Sequence, residues 1–152
     1  MDTESLINTA IDDCFSIVHH LKDATYVSTL VYYKNNLTSK RTNNFGGWED
    51  IFFEHGMHND CLLLKVAKSI SNLAAKETSV IIWERAVDDD DPIQQQRHQH
   101  GLFSGISMLV KPTDEITFVT SACTSKGTNP HIFHKSFLSK REKFISVVNN
   151  LG

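Results

Sequence analysis

No CxxC pair, no membrane-length apolar run and no excess of basic charge occur in these 152 residues, and each absence removes a class of protein. The longest apolar runs, such as Cys61 to Leu64 and Val80 to Trp83, fall far short of the ~20 residues that a transmembrane helix needs. The three cysteines, Cys14, Cys61 and Cys123, are odd in number and widely spaced, so neither a disulfide framework nor a zinc site is indicated. They read instead as small apolar residues of a reducing compartment. A formal net charge of −3 is the wrong sign for a bulk nucleic-acid binder. Asp2 and Glu4 stand where a secretory signal carries basic residues, so a cytoplasmic location is expected. With three prolines, seven glycines and no repeat, nothing marks a linker, and one domain over 1–152 is the simplest organisation.

The periodicities that are present alternate between helix and strand. Leu6, Ile7, Ala10, Ile11, Cys14, Phe15, Val18 and Leu21 are spaced by threes and fours, an amphipathic helix. Tyr26 to Tyr33 is dense in β-branched and aromatic residues and predicts a strand, with a short second strand before Asn43-Asn44. Trp48 to Glu54 reads as a short helix after the Gly46-Gly47 break, and Cys61 to Leu73 as a further helical segment. Thr78 to Trp83 is β-branched again. Asp88 to Asp91 before Pro92 has the form of a helix start, because Asp caps free N–H groups and Pro fits the first turn. A calcium loop would need alternating ligands and a central Gly, which are missing.

Ser104 to Val110 and Glu115 to Cys123 predict two strands joined by the turn at Lys111 to Asp114, a connection too short for a parallel crossover. Phe133, Phe137, Leu138, Phe144, Ile145, Val148 and Leu151 predict one final helix. The expected fold is therefore α/β in the α+β sense: an α/β/α sandwich with about five mainly antiparallel strands and helices on both faces.

Chemical motifs are few. GxSxG, the P-loop, GxGxxG and HExxH are all missing. The eight histidines lack ligand spacing: His98 and His100 diverge on a helix, His19 and His20 are adjacent, and His131 and His134 have no convincing third ligand. No metal or cofactor is expected. Two stretches stand out. In the first, Trp48 and Phe52 are one helical turn apart, with Asp60 on the loop that follows. An indole N–H can donate to a carbonyl and a carboxylate can accept from an amide, which suits a small-ligand pocket. The same residues also read as ordinary core aromatics and a helix cap. In the second, Gly101 suits a helix C-cap and Gly105 a strand start that another group approaches closely.

Taken together, Trp48, Phe52, Asp60, Trp83 and Gly101-Leu102-Phe103-Ser104-Gly105-Ile106-Ser107 resemble the autoinducer-binding domain of LuxR-type quorum-sensing regulators, in order and over nearly the whole chain. The resemblance implies that Trp48 donates to a lactone carbonyl, Asp60 accepts from the acyl-amide N–H and Thr120 faces the amide or acyl carbonyl. It also implies that Phe52 and Trp83 wall the pocket. Ser107 and Asn44 complete the implied ligand-binding set, Asn44 at a position where the family commonly has Tyr. Phe52 likewise replaces a Tyr, and Cys61 follows Asp60 where the family has Pro. The implied ligand is an acyl-homoserine lactone or a related amphiphile. The implied partners are a second copy of the chain or a full-length LuxR-type regulator. No helix-turn-helix is recognisable up to Leu151, so direct contact with nucleic acid is not expected, nor is contact with membrane. The chain would regulate transcription through an attached or partner DNA-binding domain.

Two other classes compete with a sensor. A ligand-independent dimerisation or regulatory module of the same fold would have Phe52 and Trp83 filling the pocket, with an apolar stripe on the last helix. An enzyme would need a His and a carboxylate paired in a cleft, around His55 or His134; no such constellation is evident, and a non-enzymatic role is expected.

Overall fold

The β-branched run predicted as a strand forms β1 (Ala24–Tyr33), the pivot of a five-stranded antiparallel sheet. The computed structural model describes residues 3–34, 36–57, 65 and 78–151. β1 pairs on one side with β2 (Asn36–Thr42) and on the other with β5 (Ile116–Thr124), which pairs in turn with β4 (Phe103–Val110) and through it with the edge strand β3 (Thr78–Ile82). The predicted hairpin is β4 and β5, with Ser107 opposite Ser121 and Met108 opposite Thr120. The edge at β2 is blunted by Lys40 and Arg41 and by an irregularity in its pairing at Val31/Tyr32.

Side chains alternate across the sheet, and two separate apolar clusters form on its faces. On the first face lie Val27, Val31, Ile106, Met108, Phe118 and Ala122. They are covered by α1 (Thr3–His19), whose buried Ala10, Ile11, Cys14, Phe15 and Val18 are the predicted stripe. On the second face lie Tyr26, Leu30, Ile81, Leu109, Val119 and Cys123, covered by helical turns around Trp48 and by the segment from Trp83 to Leu102. The α/β/α sandwich is as expected.

Two boundaries differ from the expectation. Trp83 does not end β3 but opens a single helical turn, α2 (Trp83–Ala86), which folds its indole back over the sheet. The single last helix is instead two, α4 (Pro130–Leu138) and α5 (Arg141–Asn149). The Ser139 hydroxyl donates back to the Ser136 carbonyl at 2.6 Å, and Lys140 leaves helical geometry at φ −94°, ψ 2°. The apolar stripe survives the break because both helices bury against one face, where the Phe137 and Phe144 ring centroids sit 5.5 Å apart. The helical segment expected over Cys61 to Leu73 lies outside the described residues.

Helix starts follow local chemistry. α3 (Pro92–Gln99) is capped by Asp91, whose carboxylate accepts the Gln94 N–H at 2.9 Å. Asn129 does the same for α4, accepting from His131 and Ile132. Cys14 and Cys123 are buried free thiols, as expected; Cys61 is outside the described residues. Burial pushes the Cys14 thiol up to about 12, against a hydrogen bond from Thr120.

Phe137 is fully buried while Ile132, five residues earlier on the same helix, is 67% exposed. Phe137→Ala should therefore cost about 3–5 kcal/mol in urea denaturation. Ile132→Ala should stay within about 0.5 kcal/mol of the parent.

Candidate functional site

The aromatic side of the second face is assembled by backbone turns as much as by side chains. Asn44, Gly46 and Gly47 take positive φ values of 48°, 60° and 75°, which swing the chain inward from β2. The Asn44 side chain accepts the Glu49 N–H at 2.8 Å, and the Asn44 N–H donates to the Thr42 hydroxyl at 3.0 Å. Thr42 donates to Glu49 at 2.6 Å, and Lys40 pairs with the same carboxylate. Burial raises the Glu49 pKa, but these two hydrogen bonds and the Lys40 charge outweigh it and hold the group below its usual range.

This clamp delivers Trp48 and Phe52 to the interior. A turn of 3-10 helix (Phe45–Gly47) leads through Trp48 to a π-helical turn (Asp50–Glu54), so the predicted short helix is present with a wider final turn. Trp48 is 2% exposed and stacks on Phe52 with ring centroids 5.7 Å apart; His100 lies 5.4 Å away on a tilt. The indole N–H of Trp48 makes no hydrogen bond among the described residues.

Trp83 differs in this respect. Its N–H donates to the Ser107 hydroxyl at 2.8 Å, and Ser107 in turn shares a 2.6 Å hydrogen bond with the Ser121 hydroxyl. The ring lies directly on the backbone of Gly105, where an added Cβ would stand 2.1 Å from two ring atoms. The close approach anticipated at Gly105 is thus the indole itself.

Behind these rings sits a buried cation. Arg97, from α3, donates to Gln94 at 2.9 Å; both are almost wholly buried. Its guanidinium is 5.1 Å from the Trp83 ring and 6.0 Å from the Phe52 ring. The Tyr26 phenol and the Cys123 thiol on the same face are both pushed up by burial, with the Arg97 charge pulling the other way.

Trp48, Phe52, Trp83 and Ser107 are therefore brought to one face of the sheet. Thr120 is not. It points to the first face, where it lies 3.4 Å from the Thr29 hydroxyl and hydrogen-bonds Cys14 beneath α1. Strand periodicity is two, so a shift of one residue changes face, and it is the neighbouring Ser121 that stands opposite Ser107 on the second face. Asn44 spends its side chain on the turn, donating toward Asp50 at 3.4 Å as well as accepting from Glu49. Asp60 lies outside the described residues. Arg97 and Gln94 carried no signal in the polar Pro92–Gln99 stretch; Ser121 was legible only through its pairing with Ser107.

The described part of the site is an aromatic wall with a hydroxyl pair, a buried guanidinium and one indole N–H that has no acceptor among the described residues. Such a set can receive an apolar ligand with a carbonyl group. Among the described residues no three His, Cys, Asp or Glu side chains are grouped to hold a metal ion, and no helix is long and apolar enough to cross a membrane.

Two predictions follow from this geometry. Gly105→Ala should cost about 1–3 kcal/mol in urea denaturation and shift the Trp83 fluorescence, because the ring or the strand must move. Lowering the pH toward the depressed Glu49 pKa should remove the stability that its ionised form supplies above the unfolded value. In acid titrations followed by circular dichroism, Glu49→Gln should flatten that limb of the profile.

No protein-family model matches this sequence, and no curated protein matches it. Solved structures do. Escherichia coli SdiA superposes with a TM-score of 0.63 at 12% identity, over 99% of this chain and 60% of the SdiA chain. SdiA in complex with octanoyl-rac-glycerol is matched over 58% of its length, so the present chain spans about three fifths of these SdiA chains. The N-acylhomoserine lactone dependent LuxR family transcription factor CepR2 from Burkholderia cenocepacia gives 0.52 at 12% identity, over 97% of this chain and 93% of CepR2. The VqsR LBD domain from Pseudomonas aeruginosa gives 0.60 at 7% identity, over 97% and 94%. The chain shares its fold with these SdiA, CepR2 and VqsR structures.

Proposed function

We propose that this chain is a non-enzymatic, cytoplasmic sensor domain that binds an acyl-homoserine lactone or a related amphiphile against the second face of its sheet. The observation that carries this reading is the contrast between the two tryptophans. Trp83 gives its N–H to Ser107, whereas the Trp48 N–H has no acceptor among the described residues although the ring is buried. An indole N–H with no acceptor among the described residues is free to donate to a ligand carbonyl. Trp83 and Phe52 then wall the acyl portion.

In the same reading Asp60 accepts from the ligand amide N–H. The Ser107–Ser121 pair would meet a second carbonyl, a role that the proposal gives to Ser121 rather than Thr120 because Ser121 pairs with Ser107 on the second face. Similar folds in SdiA with octanoyl-rac-glycerol and in the N-acylhomoserine lactone dependent CepR2 support a ligand of this chemistry. Regulation would pass through an attached or partner DNA-binding domain, with the chain as a homodimer or paired with a full-length regulator.

Thermal unfolding with a panel of acyl-homoserine lactones of graded chain length tests the proposal. A ligand present at about 100 times its Kd should add about 2.7 kcal/mol to folding stability and raise Tm accordingly. Trp48→Phe keeps an aromatic ring and removes the donor, and should weaken binding about tenfold, the worth of one hydrogen bond of about 1.4 kcal/mol. Asp60→Ala should abolish the gain. Absence of a shift across the panel, or an unchanged shift in Trp48→Phe, would overturn the reading.

A further inference from the structure

We infer that a second site, separate from the aromatic face, binds a free medium-chain acyl carboxylate in the groove between α2, the start of β4 and α4. The groove encloses about 410 Å³, within the ~300–1,000 Å³ range of small-ligand sites. Its lining includes none of Trp48, Phe52, Trp83, Arg97, Ser107 or Ser121.

The floor is apolar and the rim is cationic. Ile82, Pro130 and Leu138 form the floor, extended by the methylene stems of Arg85 and Lys135. Leu138 is 38% exposed, a large apolar surface left open beside charged groups. Arg85 and Lys135 contribute two positive charges at the rim, with His131 alongside them. The single carboxylate, Glu84, is turned toward the strand and accepts the Ser104 N–H at 2.6 Å. His134 is likewise held by the protein, its ring nitrogen 2.8 Å from the Ser104 carbonyl. Ser104 itself takes the left-handed φ of 55°, so these two contacts hold a strained residue and the groove wall with it.

The first turn of α4 offers only its dipole. Its His131 and Ile132 N–H groups are already taken by Asn129, so the anion would be held by side chains rather than by the helix start. Arg85 and Lys135 line the groove from different elements, and a guanidinium is the group best shaped to take a carboxylate. An unbranched acyl tail then lies along Ile82 and Leu138. A neutral amphiphile would cover the same floor and leave the rim unmatched.

The test uses the full chain and sodium decanoate below its micellar concentration, followed by amide and indole 1H–15N spectra. Decanoate should shift the amides of Arg85, Ser104, His131 and Lys135, and decanol at equal concentration should leave them in place. The double variant Arg85→Glu, Lys135→Glu replaces exposed side chains, so it should keep the parent spectrum and lose at least tenfold in decanoate affinity. Four results would overturn the assignment: shifts confined to the Trp48 indole, equal shifts with decanol, an unaffected double variant, or binding to phosphatidylglycerol vesicles without a response to decanoate.

Discussion

The antiparallel pairing of β1 with β5, running from Ala24 opposite Thr124 to Tyr33 opposite Ile116, is the constraint from which the rest of the molecule follows. It lies at the centre of the sheet, and both neighbours, β2 and β4, take their registers from it. Because successive residues face opposite ways, this one alignment decides which side chains meet α1 and which meet the tryptophans. Leu30 and Val119, opposite one another, share the second face; Val31 and Phe118 share the first. No local change in a loop can move a residue from one cluster to the other.

That parity also marks what can be read from the amino-acid sequence. The helix of Thr3–His19, the strands and the Asp91 cap all announce themselves through spacing or through a single chemical group, because local physics decides them. Trp48, Phe52, Trp83 and Ser107 could be grouped in advance because their order resembles that of the LuxR-type autoinducer-binding domains. Thr120 could not be placed the same way. Thr120-Ser121 offers two hydroxyls in succession, and only the long-range alignment with Ser107 selects Ser121. The break after Leu138 was hidden for a related reason: Phe133, Phe137, Phe144 and Val148 keep a continuous stripe across it. The buried Arg97 was invisible because an isolated arginine in a polar helix resembles any solvated one.

The two tryptophans divide their work by hydrogen bonding. Trp83 is tied into the sheet through Ser107 and Ser121 and serves as fixed wall, whereas Trp48 is held by stacking on Phe52 and by the turn that Asn44 and Glu49 clamp. For the proposed ligand, rigidity on one side and a positioned donor on the other would set the geometry before binding, and such preorganisation lowers its entropic cost. Arg97 brings a permanent positive field to the same wall, so the environment behind the rings is polar as well as aromatic.

The contact between Trp83 and Gly105 has a consequence for descent. Two positions on α2 and β4, with α3 between them in the chain, occupy one volume, and a side chain at 105 demands a smaller ring at 83. Among relatives at this level of divergence, a side chain at position 105 should occur only where position 83 carries a smaller residue. Such a correlated pair would identify the fold in sequences whose overall identity has fallen too low to reveal it.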